Sequence, residues 1–457
     1  MLTYDLKKWN LPLYDALYRE IREDILSGRI SHGEKLPSKR ALAEHLRISK
    51  VTVENAYAQL LAEGYISSRC RCGYFAEGGD IVADHRSEPA FPKESPRPPT
   101  RDLTHGGTED GFPFSVWARL MRGVIAEVGE RLLLPTETAG IYPLRAAIAG
   151  YLYRMRGIRV LPEQIVVGAG AEYLYQLILQ LLGKERIYAA EEPGHKKFHQ
   201  VCSAAGVRCM PVTVDDEGLS TKALEESGAS VAHLSPAHHF PTGAVASPQR
   251  RRELLGWAMA EDRYLVEDDY DSEFRLSGRP IPPLFSQDTA GRVIYINTFS
   301  KTMAPSFRIG YMVLPSALLE CYREKLGFYS STVPAFEQYT LARFLEEGYF
   351  EKHLSRMKKR YKEKREGVLS LLSSLSLAKK VTPIAADAGL HFLLTVETKR
   401  TDDEIKAAFH SCGYVVQCLS DYYTEPKATR IRTLVLSDVG YAAEDFCNAL
   451  IAGIKEL

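Results

Sequence analysis

The sequence predicts a multi-domain chain: a small N-terminal winged helix-turn-helix, a proline-rich linker and a larger α/β domain. Three observations predict it. Leu13, Leu17, Ile21 and Ile25 recur at helical spacing and open a set of short helices that closes in an alternating hairpin. Prolines 89, 92, 96, 98 and 99 then fall among charged and small residues, as in a semi-extended connector. Beyond them, strand-like and helix-like stretches alternate to the end, the rhythm of a mainly parallel sheet covered by helices. The expected boundaries are 1–77 for the head, 78–104 for the linker and 105–457 for the body. The body divides into a large subdomain of about 130–315 and a small one of about 316–457.

Composition narrows the function classes. The 457 residues carry 58 basic and 58 acidic side chains, so any nucleic-acid contact must come from a local patch. No signal-peptide core is visible, and no apolar run approaches the roughly 20 residues that span a bilayer. The eight cysteines show no disulfide-framework spacing, and Cys70 and Cys72 lack a second ligand pair, so no metal is expected. Reduced thiols and a cytoplasmic protein are expected.

In the head, the first helix should end at Gly28. Ser38 should cap a second helix, KRALAEHL, and Ser49 a third, which stops at Gly64. Tyr65-Ile66 and Gly73-Tyr74-Phe75 alternate around RCRC as a hairpin would. A DNA-recognition helix needs small or polar residues in its first turn, with cations around them for phosphates. Ser49, Lys50 and Thr52 fit the first role; Arg40, Arg69 and Arg71 fit the second. Residues 1–76 hold twelve Lys and Arg against nine Asp and Glu, a modest excess of the right sign.

In the body, Val293–Ile296 reads as a buried strand that runs into Asn297-Thr298-Phe299-Ser300-Lys301, with Arg308 following. A lysine at the carboxyl end of a buried strand, flanked by hydroxyls and an arginine, suits a Schiff base with a cofactor aldehyde. Thr298, Ser300 and Arg308 would hold that cofactor's phosphate. Gln164–Glu172 reads as strand, glycine turn and helix start, so the amides at Gly170, Ala171 and Glu172 can face an anion. Tyr264–Tyr270 reads as a strand with Asp268 and Tyr270 on one face and Asp269 on the other. Asp268 suits a protonated ring nitrogen, and Tyr270 a ring oxygen.

Gly33-Glu34-Lys35-Leu36-Pro37-Ser38-Lys39-Arg40-Ala41-Leu42-Ala43, with Thr52-Val53, Ala56-Tyr57, Leu60 and Glu63-Gly64-Tyr65, resembles the GntR-type winged helix; Lys39 replaces a common serine. From about residue 110 the chain resembles the fold-type I aminotransferases, which use pyridoxal 5′-phosphate (PLP). That resemblance is carried by Pro143-Leu144-Arg145, the 168–170 turn, Glu192-Pro193-Gly194, Pro241-Thr242-Gly243, Asp268 with Tyr270, and Ser300-Lys301 with Arg308-Ile309-Gly310-Tyr311. It implies Lys301 as the Schiff-base lysine and Arg432 as a bidentate clamp on a substrate or effector carboxylate, with Arg430 the alternative. Head, linker and body together resemble the MocR/GabR family of bacterial transcriptional regulators. The resemblance implies a head-to-tail homodimer that binds a double-stranded DNA operator and senses an amine, an amino acid or PLP itself.

The chain departs from the aminotransferase pattern in places. His195 follows Glu-Pro-Gly where an aromatic ring is expected to stack on the cofactor, and Phe240 replaces an asparagine. His239 stands where many MocR-type proteins carry Gln. Lys197 sits near where a carboxylate-binding arginine is expected. These changes favour sensing over turnover; an active aminotransferase with an accessory head is the alternative.

Overall fold

The computed structural model describes residues 2–9, 11–69, 72–77, 101–104, 111–275, 281–374, 381–384, 389–425 and 432–456. Arg71, Arg430 and most of the expected linker lie outside them. The chain divides into two compact units, 1–96 and 97–457.

The first unit consists of three helices, Leu13–Leu26, Lys39–Leu46 and Lys50–Ala62, followed by antiparallel strands Ile66–Arg69 and Gly73–Ala76. The Ser38 side chain accepts from the Ala41 amide and Ser49 from Thr52, so each satisfies a donor left over at a helix start. Between the two helices, Arg47 takes a left-handed conformation at φ 55° and turns the chain. Leu17, Ile21, Leu42, Val53, Ala56, Tyr57, Leu60 and Ile66 meet in one core.

The second unit is built on an eight-stranded sheet. Its order is Ile165–Gly168, Gly310–Val313, Val293–Thr298, Tyr264–Asp268, Val231–Leu234, Tyr188–Glu192, Cys209–Asp215 and Gly218–Leu219. The strands from 293–298 across to 209–215 run parallel; 310–313 is antiparallel to both neighbours. Side chains alternate across it with period two. Val166, Ile294, Ile296 and Met312 pack against the helix Ala171–Leu182. Val167, Tyr295, Tyr311 and Val313 pack against Tyr142–Arg156, Ala335–Glu346 and the start of Tyr349–Ser374.

A second, antiparallel sheet orders Val381–Ile384, Phe392–Val396, Arg432–Leu436 and Gln417–Cys418. It packs on Asp402–Ser411 and Ala443–Lys455. Residues 101–104 belong here, which corrects the last four positions of the expected linker. Arg101–Asp102 pairs with Tyr414–Val415, and Leu103 is fully buried in the C-terminal core. An apolar side chain with a core to enter does not stay in a connector.

Candidate functional site

At the carboxyl ends of strands 188–192, 231–234, 264–268 and 293–298 lies a cavity of about 340 Å³. Such ends are where open α/β sheets bind ligands. Lys301, Asp268, Tyr270, Thr298, Ser300, Arg308, Ala171, Glu172, His195 and Lys197 all line it. The fold therefore gathers into one space residues spread from 171 to 308.

Lys301 follows strand 293–298 through a short turn. Burial pushes its amine below the ordinary lysine value, while the Asp271 carboxylate pulls the other way. A lysine held so is more often an unprotonated amine, the form that attacks a carbonyl carbon.

Asp268 is the last residue of its strand, half-buried on the face that carries Ala171–Leu182. The Tyr175 hydroxyl donates to its Oδ2, and His233 Nε2 stands 3.4 Å from the same oxygen. His233 is stacked on Phe198, with ring centres 4.4 Å apart. Sequence reasoning missed Tyr175 and His233. Tyr175 carried a signal, since it falls one helical turn after Ala171; His233 carried none, because strand order decides its place beside Asp268.

The residues expected at the phosphate are also brought together by the fold. Gly170 takes φ 92°, and a Cβ there would come within 2.5 Å of Arg308 Nη2, so only glycine lets the guanidinium approach. Arg308 Nη2 donates to Glu172 Oε2 at 2.7 Å, and Lys197 Nζ donates to Oε1 of the same carboxylate. Burial works to raise the Glu172 carboxyl, but Lys197 and Arg308 outweigh it and bring it down to about 2. Thr298 and Ser300 add hydroxyls, and the start of Ala171–Leu182 adds amides with no intrahelical partner.

Across the cavity, Tyr270 Oη lies 3.3 Å from His238 Nδ1, which is itself 2.8 Å from Asp271 Oδ2. His195 sets its ring edge-to-face with Phe240 at 5.8 Å. Phe240 also meets His391 at 4.8 Å and Tyr422 at 5.1 Å, making an aromatic wall. Glu191 is buried in the lining, with His239 Nε2 3.7 Å from its Oε2. Arg432 is placed elsewhere. Its Nε donates to the Arg400 carbonyl at 2.9 Å and its Nη1 pairs with Asp402 at 3.4 Å, so the expected carboxylate clamp is turned into the small subdomain. Position in the motif indicated the residue; the neighbouring carboxylate decided its direction.

In the head, Ser49, Lys50, Arg40 and Arg69 are exposed. The Ser49 and Thr52 hydroxyls are 2.8 Å apart, and Lys50 pairs with Glu54 at 3.3 Å along the helix. Arg69 lies over the Phe75 ring at 4.5 Å, which holds its guanidinium at the hairpin surface.

The donor set fits PLP. A carboxylate stands for a protonated ring nitrogen, an amine for the aldehyde carbon, and hydroxyls, guanidinium and helix amides for the phosphate, with Gly170 leaving the room. The class so defined is a fold-type I, PLP-binding domain behind a winged-helix head.

Comparisons with known proteins agree. Residues 105–446 match the family described as aminotransferase class I and II, and residues 13–75 match bacterial regulatory proteins of the gntR family. The chain is 37% identical over 453 residues to the uncharacterized HTH-type transcriptional regulator YdeL of Bacillus subtilis, covering 98% of this chain and 96% of that one. It is 32% identical to the probable rhizopine catabolism regulatory protein MocR of Rhizobium meliloti, over 89% of this chain and 85% of the relative. It is 31% identical to the pyridoxine biosynthesis regulator PdxR of Corynebacterium glutamicum, over 89% and 88%. Among solved structures, Pyrococcus horikoshii kynurenine aminotransferase superposes with TM-score 0.70 at 25% identity, covering 79% of this chain and 91% of that one. The chain belongs to the class I and II aminotransferase family, in its MocR-type branch of GntR-headed transcriptional regulators. Pyridoxal 5′-phosphate is its cofactor.

Proposed function

We propose that the protein binds a double-stranded DNA operator through Lys50–Ala62 and the hairpin, and that a small amine or amino acid, or PLP itself, entering the Lys301 cavity changes that binding. The observation that carries this is the convergence of Lys301, Asp268 and Arg308 on one cavity in a chain that also carries a DNA-binding head. Bound PLP supplies an electrophilic carbon and a ring that withdraws electrons. Around it, Lys301 presents its amine, Asp268 holds a proton at the ring nitrogen with Tyr175 and His233 fixing the carboxylate, and Tyr270 hydrogen-bonds the ring oxygen. Arg308, Thr298, Ser300 and the amides of Gly170, Ala171 and Glu172 hold the phosphate. His195 and Phe240 close the opposite side and exclude water.

The effector acts only by preferring one conformation of the body. Sensing without efficient turnover is supported by Phe240 and by the direction of Arg432, because among the described residues Arg308 is the single arginine lining the cavity. Lys197, engaged by Glu172, is one of the cavity's cations that an incoming carboxylate group would meet. A homodimer in the cytoplasm is the assembly and place this reading implies; no helix among the described residues is long and apolar enough to cross a membrane.

The test is borohydride reduction of PLP-loaded protein, followed by peptide mass mapping. The pyridoxyl mass should fall on Lys301 and vanish in Lys301→Ala, while that variant still binds DNA beside its own gene. A label on another lysine overturns the assignment. Amine titrations should move the cofactor's visible band without accumulating keto acid, and multiple turnovers would favour the aminotransferase reading.

A further inference from the structure

A second cavity, of about 240 Å³, lies away from the cofactor site. Its floor is Met303 and His353, its apolar side Phe112 and Val116, and its rim Arg356 and Arg360. Among the described residues, no acidic side chain lines it. The two arginines come from Tyr349–Ser374, a helix with eight Lys and Arg against three Glu. The three acids of that helix are engaged elsewhere: Glu351 by Arg154, Glu363 by Lys359 and Glu366 by Lys362. Among the described residues neither arginine has an acidic partner, in a chain whose total charge is zero. Two guanidiniums one helical turn apart, above a mouth with apolar walls, suit a planar anion carried on an apolar body. The space exceeds the roughly 150 Å³ of a cavity known to take up benzene, so one aromatic ring with a carboxylate is of suitable size.

The walls touch the cofactor-holding segments from behind. His353 Nε2 lies 2.8 Å from the carbonyl oxygen of Thr302, the residue after Lys301. Met303 is the next residue. Phe112 and Trp117 pack on Phe307 at 6.4 and 4.9 Å, and Phe307 precedes Arg308. Burial lowers the His353 value, the hydrogen bond to the Thr302 carbonyl opposes it, and the nearby charges of Arg356 and Arg360 add to the lowering. Phe112 and Val116 also stand in the first described stretch after residue 110, close in sequence to the linker.

We infer that this cavity is a second ligand site, for a small organic anion with an apolar body, and that its occupancy is felt at Lys301 and Arg308 through His353–Thr302 and Phe112–Phe307. The site is independent of whether the Lys301 cavity senses an amine; failure of the amine titrations leaves it standing.

Benzoate is the probe, titrated by calorimetry into PLP-loaded full-length protein, with benzyl alcohol and inorganic phosphate as the uncharged and non-apolar controls. Saturable benzoate binding is expected, at least ten-fold weaker in the surface double variant Arg356→Ala/Arg360→Ala and at least ten-fold weaker for either control. The cofactor's visible band should shift with the same benzoate midpoint, and Phe307→Leu, outside the cavity lining but on the path to Arg308, should reduce the shift while keeping the binding. Equal binding by the double arginine variant overturns the site. A band that does not move overturns the coupling. Displacement of benzoate by random duplex DNA would reassign the arginines to a phosphate backbone and overturn the small-molecule reading.

Discussion

The two faces of the strand Tyr264–Asp268 treat neighbouring carboxylates differently. On the cavity face, Asp268 accepts from Tyr175 and lies 3.4 Å from His233, still open to a ligand. On the opposite face, Asp269 is bound by Arg156 and accepts from Tyr295 at 2.6 Å, with both charged side chains almost fully buried. Nearby, Glu273 takes Tyr151 at 2.9 Å and Asn297 at 3.0 Å. One face thus neutralises its charge within the protein and ties Tyr142–Arg156 to the sheet. The other presents Asp268 to the cavity. Asp269 meets a buried guanidinium within the chain, whereas Asp268 is held by a hydroxyl and an imidazole and still faces the cavity.

This contrast can be broken most directly at Asp269. Asp269→Ala leaves Arg156 charged and buried without its partner, so stability should fall by about 3–5 kcal/mol in urea denaturation of the cofactor-free protein. A loss no larger than that of Asp268→Asn would dissolve the distinction between the faces. Asp268→Asn should leave the fold intact but remove a charged hydrogen bond worth about 1.5–3 kcal/mol to the ring nitrogen. That corresponds to PLP retention about 10- to 100-fold weaker in equilibrium dialysis.

Glu191 sharpens the comparison through pH. Burial, with the charge of Asp268 adding to it and the Ser235 amide opposing, pushes its carboxyl up to about 8 from an ordinary 4.5. The folded protein thus holds a proton that the unfolded chain releases, and stability is lost as pH rises from about 4.5 to about 8. Glu191→Gln should flatten the fall in melting temperature across that window and leave pH 4 little changed. An unaltered pH profile would place the charge elsewhere.

The smallest effect is expected at the exposed charges of the head. Arg69→Ala should lower the slope of log affinity against log salt by about 1, with little change in melting temperature, as for a single phosphate contact. An unchanged slope would remove the hairpin from the DNA interface.

Local signals told much about this protein. Ser38 and Ser49 read as helix caps because capping involves atoms within three residues. The period-two pattern of Tyr264–Tyr270 separated Asp268 from Asp269 before any fold was known. The glycine turn at 168–170 and the Ser300-Lys301 to Arg308 spacing marked the cofactor elements for the same reason, since each is a short stretch with its own geometry. What sequence alone did not reach depends on which strands are neighbours. His233 meets Asp268 only because strand 231–234 lies beside 264–268, and Leu103 leaves the linker only because a C-terminal core is there to receive it. Arg432 lies 3.4 Å from Asp402, a contact between segments that the sequence order does not reveal. Side-chain direction and long-range pairing are set by energies between distant segments, and those exist only once the chain has folded.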